Sequence, residues 1–218
     1  MRVLVTGDRN WTDTVIMKKA IGSLSRGDVV VQGEARGADS LARDFAKLRG
    51  LQVDSFPAKW DLHGRAAGPI RNQEMLDTNP DEVWAFHQNL AISRGTLDMV
   101  KRAKKKGTKV RYFFVPTVFN IRNLPDVWAT LPDVYAYIGR RGHGFDGKWG
   151  NPVAVGRPCP NCGKTHERGG DTLYCYEEML QRNIDHDVEY LEPLRGKHLV
   201  CFCAPYPCHG DRILRRLG

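Results

Sequence analysis

Two kinds of chemistry are written into the residue spacing of this chain. Gly33-Glu34-Ala35-Arg36-Gly37-Ala38-Asp39 follows the apolar run Val29-Val30-Val31, and Ser93-Arg94-Gly95-Thr96 follows Glu82-Val83-Trp84-Ala85-Phe86 after a short loop. Small residues at a strand exit let the backbone approach a ligand, and the amides opening the next helix attract an anion. Gly33 and Gly37 offer that approach, and Arg36 offers a planar fork for phosphate oxygens. Ser93, Gly95 and Thr96 add two hydroxyls and the N–H groups of a second helix start. Asp39 either caps its helix or meets a ribose hydroxyl. Arg71 and Asn72, directly after Gly68-Pro69, sit near the start of a helix and face the same cleft. His87, ending the fourth strand, points into that cleft or beside it, and Trp60 and Trp149 either stack on a base or pack in a core.

The second chemistry is that of thiolates. All six cysteines lie at 159, 162, 175, 201, 203 and 208. Without an export signal, such clustering argues for metal binding or thiol chemistry rather than a disulfide framework. Cys159-Pro160-Asn161-Cys162-Gly163 has the form of a zinc knuckle, which His166 and Cys175 would complete. An alternative set is Cys201, Cys203, Cys208 and His209, a strand end meeting a helix start across Ala204-Pro205-Tyr206-Pro207. At a helix N-terminus the Cys208 thiol should also be lowered in pKa, fit for a ligand or a nucleophile. The expected ion is a structural zinc, and no organic cofactor is assigned. Arg140, Arg141 and His143 form either a second phosphate patch or a basic loop.

These groups must be carried by ordered elements. Strand, helix, strand, helix recurs from Met1 to about residue 115, with strands over 2–6, 28–32, 51–56, 82–86 and 109–115 and helices between them. That alternation predicts a Rossmann-like doubly wound parallel sheet of about five strands over 1–115. Residues 116–133, with three prolines and no sustained period, read as a surface linker. From 134 to 218 the short segments predict a smaller α+β domain carrying the cysteines, with a strand at 135–138, a helix at 171–182, a strand at 198–202 and a last helix ending at Leu217.

The 218 residues carry a formal charge of +8, which favours a polyanionic partner. Lys101-Arg102-Ala103-Lys104-Lys105-Lys106 is either a solvated helix face or part of that attraction. No apolar run approaches the roughly 18 to 20 residues needed to span a bilayer, so a cytoplasmic protein without a membrane partner is expected.

Val5-Thr6-Gly7-Asp8-Arg9, the 33–39 turn, Pro57-Ala58-Lys59-Trp60, Ala67-Gly68-Pro69-Ile70-Arg71-Asn72 and Ser93-Arg94-Gly95-Thr96 together resemble the YspA-like branch of the SLOG superfamily. That superfamily groups Rossmann-like domains similar to the Lonely Guy phosphoribohydrolases and the DNA-processing protein DprA. The resemblance covers residues 1–115 and implies a pocket for a nucleotide or an NAD- or ADP-ribose-related ligand. It adds Gly7, Arg9 and Ala38 to the binding set, gives Arg71 the place of an arginine that binds the sugar phosphate, and implies a homodimer. In the Lonely Guy pattern Gly-Thr-x-x-Glu, the glutamate assists N-glycosidic cleavage. Here Met99 holds that position, so Glu34 or Asp8 would have to supply the carboxylate. Tyr137-Ile138-Gly139-Arg140, Trp149-Gly150-Asn151-Pro152 and the last four Cys/His residues resemble an uncharacterised domain of phages and bacteria.

Two functions fit these residues. One is an enzyme processing a nucleotide or NAD/ADP-ribose derivative, N-glycosidase-like or a glycosyl transferase, with Glu34, Asp8 or Cys208 doing the chemistry. The other is a non-catalytic sensor or sequestering protein for such a ligand. Nucleic-acid binding by charge alone is a third and lacks a reading motif.

Overall fold

The computed structural model describes residues 1–142 and 144–218; the reading made of His143 lies outside them. The chain divides into two compact units, Met1–Phe114 and Val115–Gly218.

In the first unit, β1 (Arg2–Gly7) leads to α1 (Thr14–Gly22), β2 (Val29–Gln32), α2 (Ala38–Leu48) and β3 (Gln52–Ser55). The short α3 (Trp60–His63) precedes α4 (Ala67–Asp77), β4 (Glu82–Phe86), α5 (Arg94–Lys106) and β5 (Lys109–Phe113). All strands are parallel, in the order β3-β2-β1-β4-β5, with Val3 beside Val30 and Val5 beside Trp84. The helices cover both faces. Met17, Ile21, Ala42 and Ala46 from α1 and α2 pack on Val3, Val5 and Phe86, while Met75, Leu76, Met99 and Ala103 from α4 and α5 pack on Leu4, Val31 and Val83. Alternate strand residues thus serve opposite cores, which explains why β1 carries apolar residues on both faces. The predicted Rossmann-like architecture is the one observed.

Local signals fix the helix ends. The Asp13 carboxylate accepts from the Ile16 N–H at 2.8 Å and opens α1. Ser93 does the same for α5 through Thr96, at 3.2 Å, and Gly107 ends that helix at φ 80°.

The second unit holds β6 (Val118–Asn120), β7 (Tyr135–Tyr137), α6 (Thr172–His186), β8 (His198–Cys201) and α7 (His209–Leu217). Its three strands are parallel in the order β6-β8-β7. Ile138, Tyr176, Leu180, Leu194, Leu199 and Ile213 form its core. Residues 116–133 are not the expected surface linker. Val118–Asn120 pairs with β8, and Leu124, Trp128 and Leu131 are buried. The Asn120 amide further ties the strand down by donating to the carbonyls of Phe202 and Ala204.

Among the described residues no helix is long and apolar enough to cross a membrane.

Candidate functional site

Strand order reverses between β1 and β4, so their outgoing connections diverge and leave a crevice at their carboxyl ends. A cleft of about 570 Å³ occupies that place. Gly7, Asp8 and Arg9 from the end of β1 line it, as do Arg36 and Asp39 from the second turn, Arg71 and Asn72 from α4, and Ser93, Gly95 and Thr96 from the start of α5. The two turns read from the sequence therefore converge on one space. Gly33 and Glu34 line an adjoining recess of about 480 Å³, which shares Arg9, Arg36, Trp60 and Arg71 with the cleft.

Several of these residues are placed differently from the expectation. The buried Asp39 carboxylate neither caps its helix by side chain nor lies free for a ribose. Its Oδ2 accepts from the backbone N–H groups of Gly33, at 3.1 Å, and Ala35, at 3.4 Å, and lies 3.5 Å from Arg71 Nη1. Those two amides are thereby engaged inside the turn. Burial pushes the Asp39 carboxyl up to about 6, although Arg71 pulls the other way. Arg71 also donates to the Gly33 carbonyl. The guanidinium fills the space a side chain on residue 33 would need: a Cβ there would lie 1.4 Å from Nη1. Gly37, at φ 77°, approaches the Asp8 carbonyl, and the fully buried Ala38 packs on Gly7 and gives its N–H to Asp8 O at 3.1 Å. Gly37 and Ala38 build the wall rather than present groups to a ligand.

Arg36 reaches the Asn10 side chain at 3.2 Å and lines the cleft. The Asn72 amide donates to the Gly95 carbonyl at 3.2 Å and to Asp98 at 3.0 Å, locking α4 to the first turn of α5. Met99 is fully buried in the core, whereas Asp98 faces the cleft. Position 99 is thus directed away from any ligand, and the carboxylate of α5 that reaches the cleft is one residue earlier.

Three candidate catalytic groups part company here. Glu34 accepts from Gln32 and, at 2.7 Å, from Arg43; hydrogen bonds from Ser55 and Gln32 hold its carboxyl below the usual range, so it stays ionised. Asp8 lies in the cleft, with its Oδ2 4.0 Å from His87 Nε2. The buried His87 accepts from the Asn89 N–H through Nδ1 at 3.0 Å, so its neutral ring carries the proton on Nε2, towards Asp8. Burial lowers its pKa, against the pull of Asp8. Cys208 belongs to the other unit. It is buried at the N-cap of α7, where its sulfur accepts from the Gly210 N–H at 3.4 Å.

Both Cys/His sets close up. The ligand atoms of Cys159, Cys162, His166 and Cys175 lie within 4.8 Å of one another, and so do those of Cys201, Cys203, Cys208 and His209. In the first, His166 Nε2 is 3.6 Å from the Cys162 sulfur and 3.4 Å from that of Cys175, and the Asn161 N–H donates to the Cys159 sulfur at 3.3 Å. In the second, His209 Nδ1 is 3.8 Å from the Cys201 sulfur and 3.6 Å from that of Cys208. These separations suit the edges of a tetrahedron around zinc, about 3.5 to 3.8 Å for ordinary Zn–N and Zn–S bonds. The Ile138 carbonyl, 2.7 Å from Nε2, holds that nitrogen as the donor and turns the Nδ1 lone pair to the thiols. Both sets could hold zinc, so the two are not alternatives.

A family model described as "YspA, cpYpsA-related SLOG family" matches residues 1–63, and one for a domain of unknown function, DUF4326, matches residues 126–217. The Gene 61 protein of Mycobacterium phage D29 is 39% identical over 121 residues, 51% of this chain and 95% of that protein. The first unit belongs to the YspA, cpYpsA-related SLOG family, and the second carries DUF4326. An uncharacterized 12.4 kDa protein in the nrdA-td intergenic region of Enterobacteria phage T4 shares 67% identity over 24 residues, 11% of this chain and 22% of that protein. The DNA processing protein A of Streptococcus pneumoniae superposes with a TM-score of 0.45 at 19% identity, over 61% of this chain. The chain spans 56% of the length of that protein.

In the SLOG unit, reading the sequence sets Asp98 aside, because one residue along a helix from Met99 is a turn of about 100°, and it does not assign Asn10 or Arg65; all three line the cleft. The first had a signal: Asp98 and Arg102 are spaced i, i+4 and pair at 2.8 Å, which turns that helix face to solvent and leaves Met99 to the core.

Proposed function

We propose that the SLOG unit binds a nucleotide-derived small molecule and processes it at its glycosidic or phosphate part. One observation carries this reading: the two loop-to-helix junctions and Arg71 open into a single cleft at the reversal of strand order. In it, the phosphate lies towards Arg9, Arg36 and Arg71, with the first turn of α5 as a second anion-attracting wall. Asp8 is the carboxylate for the chemistry, and the Nε2–H of His87 beside it supplies a proton donor of adjustable charge. Asp39 is a positioning residue, since it acts by fixing the 33–35 backbone and Arg71. NAD and ADP-ribose derivatives belong to this ligand class, and zinc in both Cys/His sets orders the second unit.

The second reading is a sensor that retains its ligand unchanged. The place of Met99 favours it, because the position of the Lonely Guy glutamate is turned into the core. The two separate when zinc-loaded protein is incubated with a nucleotide panel, NAD and ADP-ribose and analysed by mass spectrometry. Free base, nicotinamide or a shortened phosphate chain, lost in Asp8→Asn, supports processing. Ligand retained intact and lost in Arg71→Ala supports the sensor, and no retention or turnover of any of them overturns both.

A further inference from the structure

The second unit repeats the placement rule of the first on a smaller sheet. β7 and β8 are parallel neighbours, and a single cavity of about 570 Å³ lies beyond their carboxyl ends. Gly139, Arg140 and Arg141 come from the exit of β7; Cys201, Phe202 and Cys203 come from the exit of β8. Parallel strands leave their carboxyl ends open because the crossovers return behind the sheet, which is where α/β proteins take small molecules.

The walls are fixed before anything enters. The Arg140 guanidinium donates to the carbonyls of Asn151, at 2.7 Å, and Val153, at 2.8 Å, clamping the 151–153 segment across the mouth of β7. Asn151 donates to the Thr172 hydroxyl at 3.2 Å and accepts from the Val153 N–H at 2.9 Å, tying the same segment to the first turn of α6. Gly139 and Gly150 meet so closely that a Cβ on Gly150 would lie 2.6 Å from the Gly139 carbonyl. Cys201, Cys203 and His209 of the second metal set lie on the opposite wall.

The lining chemistry selects the occupant. Tyr137, Phe202 and Tyr206 are aromatic, Val153, Val155 and Leu173 are aliphatic, and the cationic side chains are Arg140 and Arg141, with no carboxylate among the described lining residues. Tyr206 is 77% exposed and Val155 49%, so apolar surface stands open at the mouth. A flat aromatic ring covers such surface, and an anionic group satisfies the arginine side. We propose that this cavity is a second binding site, independent of the SLOG cleft, for a mononucleotide whose base stacks at Tyr206 and Phe202 and whose phosphate faces Arg141.

Photo-crosslinking with an azido-AMP on the full-length, zinc-loaded chain, followed by peptide mapping, tests this directly. The expected label falls between residues 199 and 210, is competed by AMP, and survives Arg71→Ala. Tyr206→Ala and Arg141→Ala, both at exposed positions, should each weaken it about tenfold, the scale of one stacked base or one charge-assisted contact. Zinc content and the melting curve of each variant must stay those of the parent, which separates lost binding from lost fold. Label confined to residues 1–114, label in the second unit that AMP does not compete, or label seen only with a single-stranded oligonucleotide probe overturns the proposal. Failure of the SLOG cleft to bind nucleotides leaves it standing, since its readout is in the other unit.

Discussion

The Arg71 guanidinium stands where a side chain on residue 33 would be: Nη1 and Nε lie 1.4 and 2.9 Å from the position of a Cβ on Gly33. One side chain on α4 therefore occupies the space of a side chain in a turn after β2. Gly33→Ala must expel Arg71 or shift the turn, and overpacking of this kind costs about 1–3 kcal/mol. Urea unfolding should show that loss together with loss of retained nucleotide. The double variant Gly33→Ala/Arg71→Ala should be less destabilised than the sum of the two singles, since the clash vanishes with the guanidinium. Additive losses would mean that the two residues do not compete for this space.

Asp39 sets a second expectation. Its carboxyl is raised from 3.8 to about 6 by burial, so between those values the folded chain holds a proton that the unfolded chain has lost. Stability from this group is greatest at low pH and falls as pH rises from about 4 to 6, by about 3 kcal/mol in total. Asp39→Asn removes the slope, and its amide oxygen can still accept from the Gly33 N–H. The difference between parent and variant unfolding free energies, followed from pH 4 to 7, measures the effect. A difference that does not change over that range would show Asp39 ionised throughout.

How far the sequence reached depended on the range of the interaction. The five strands of the SLOG unit were legible because they alternate with helical segments and β1, β2 and β4 are apolar runs closed by a turn, and Glu82–Phe86 has the bounds read for it. The convergence of the 33–39 and 93–96 turns came from the parallel topology alone. What each turn residue does there was not legible. Gly33 looks the same whether a phosphate or a guanidinium comes close, and Asp39 looks like a helix cap until the fold brings its oxygen to Gly33 and Ala35. β6 escaped because three residues among prolines carry no period, and only pairing with β8 makes them a strand. The second cavity was hidden for a like reason: Arg140 and Tyr206 come to line one space only once β7 and β8 are neighbours.

His87 provides a test of the cleft that needs no ligand. Its Nδ1 accepts a backbone N–H and burial lowers its pKa, so the ring should be the neutral Nε2–H tautomer near pH 7 and titrate below 6.5. The unfolded chain then binds a proton first as pH falls, and the stability this group contributes above 6.5 is lost on acidification. Nitrogen-15 chemical shifts of the imidazole report both tautomer and titration. Because Asp8 raises the value, Asp8→Asn should move it lower still. An unchanged value in that variant would show that the 4.0 Å separation carries no coupling and would remove the acid–base pairing from the proposed chemistry.

The two Cys/His sets differ in what they tie together, and this makes their removal unequal. Cys159, Cys162 and His166 fasten a surface loop to Cys175 on α6, and Cys162 is exposed. Cys201, Cys208 and His209 are buried and join the end of β8 to the start of α7, with His209 anchored to Ile138 beyond β7. Metal-ligand free energy is folding free energy when the ligands come from elements that separate on unfolding. The parent should carry about two zinc ions per chain, and Cys162→Ser and Cys208→Ser should each carry about one, read by a colorimetric chelator after denaturation. Cys208→Ser should lower the melting temperature of the second unit well below that of Cys162→Ser, because it leaves Cys201 and His209 buried without their ion. Equal losses in the two variants would place the second ion in a less structural role, and a parent with no zinc would remove metal from the physics of this domain.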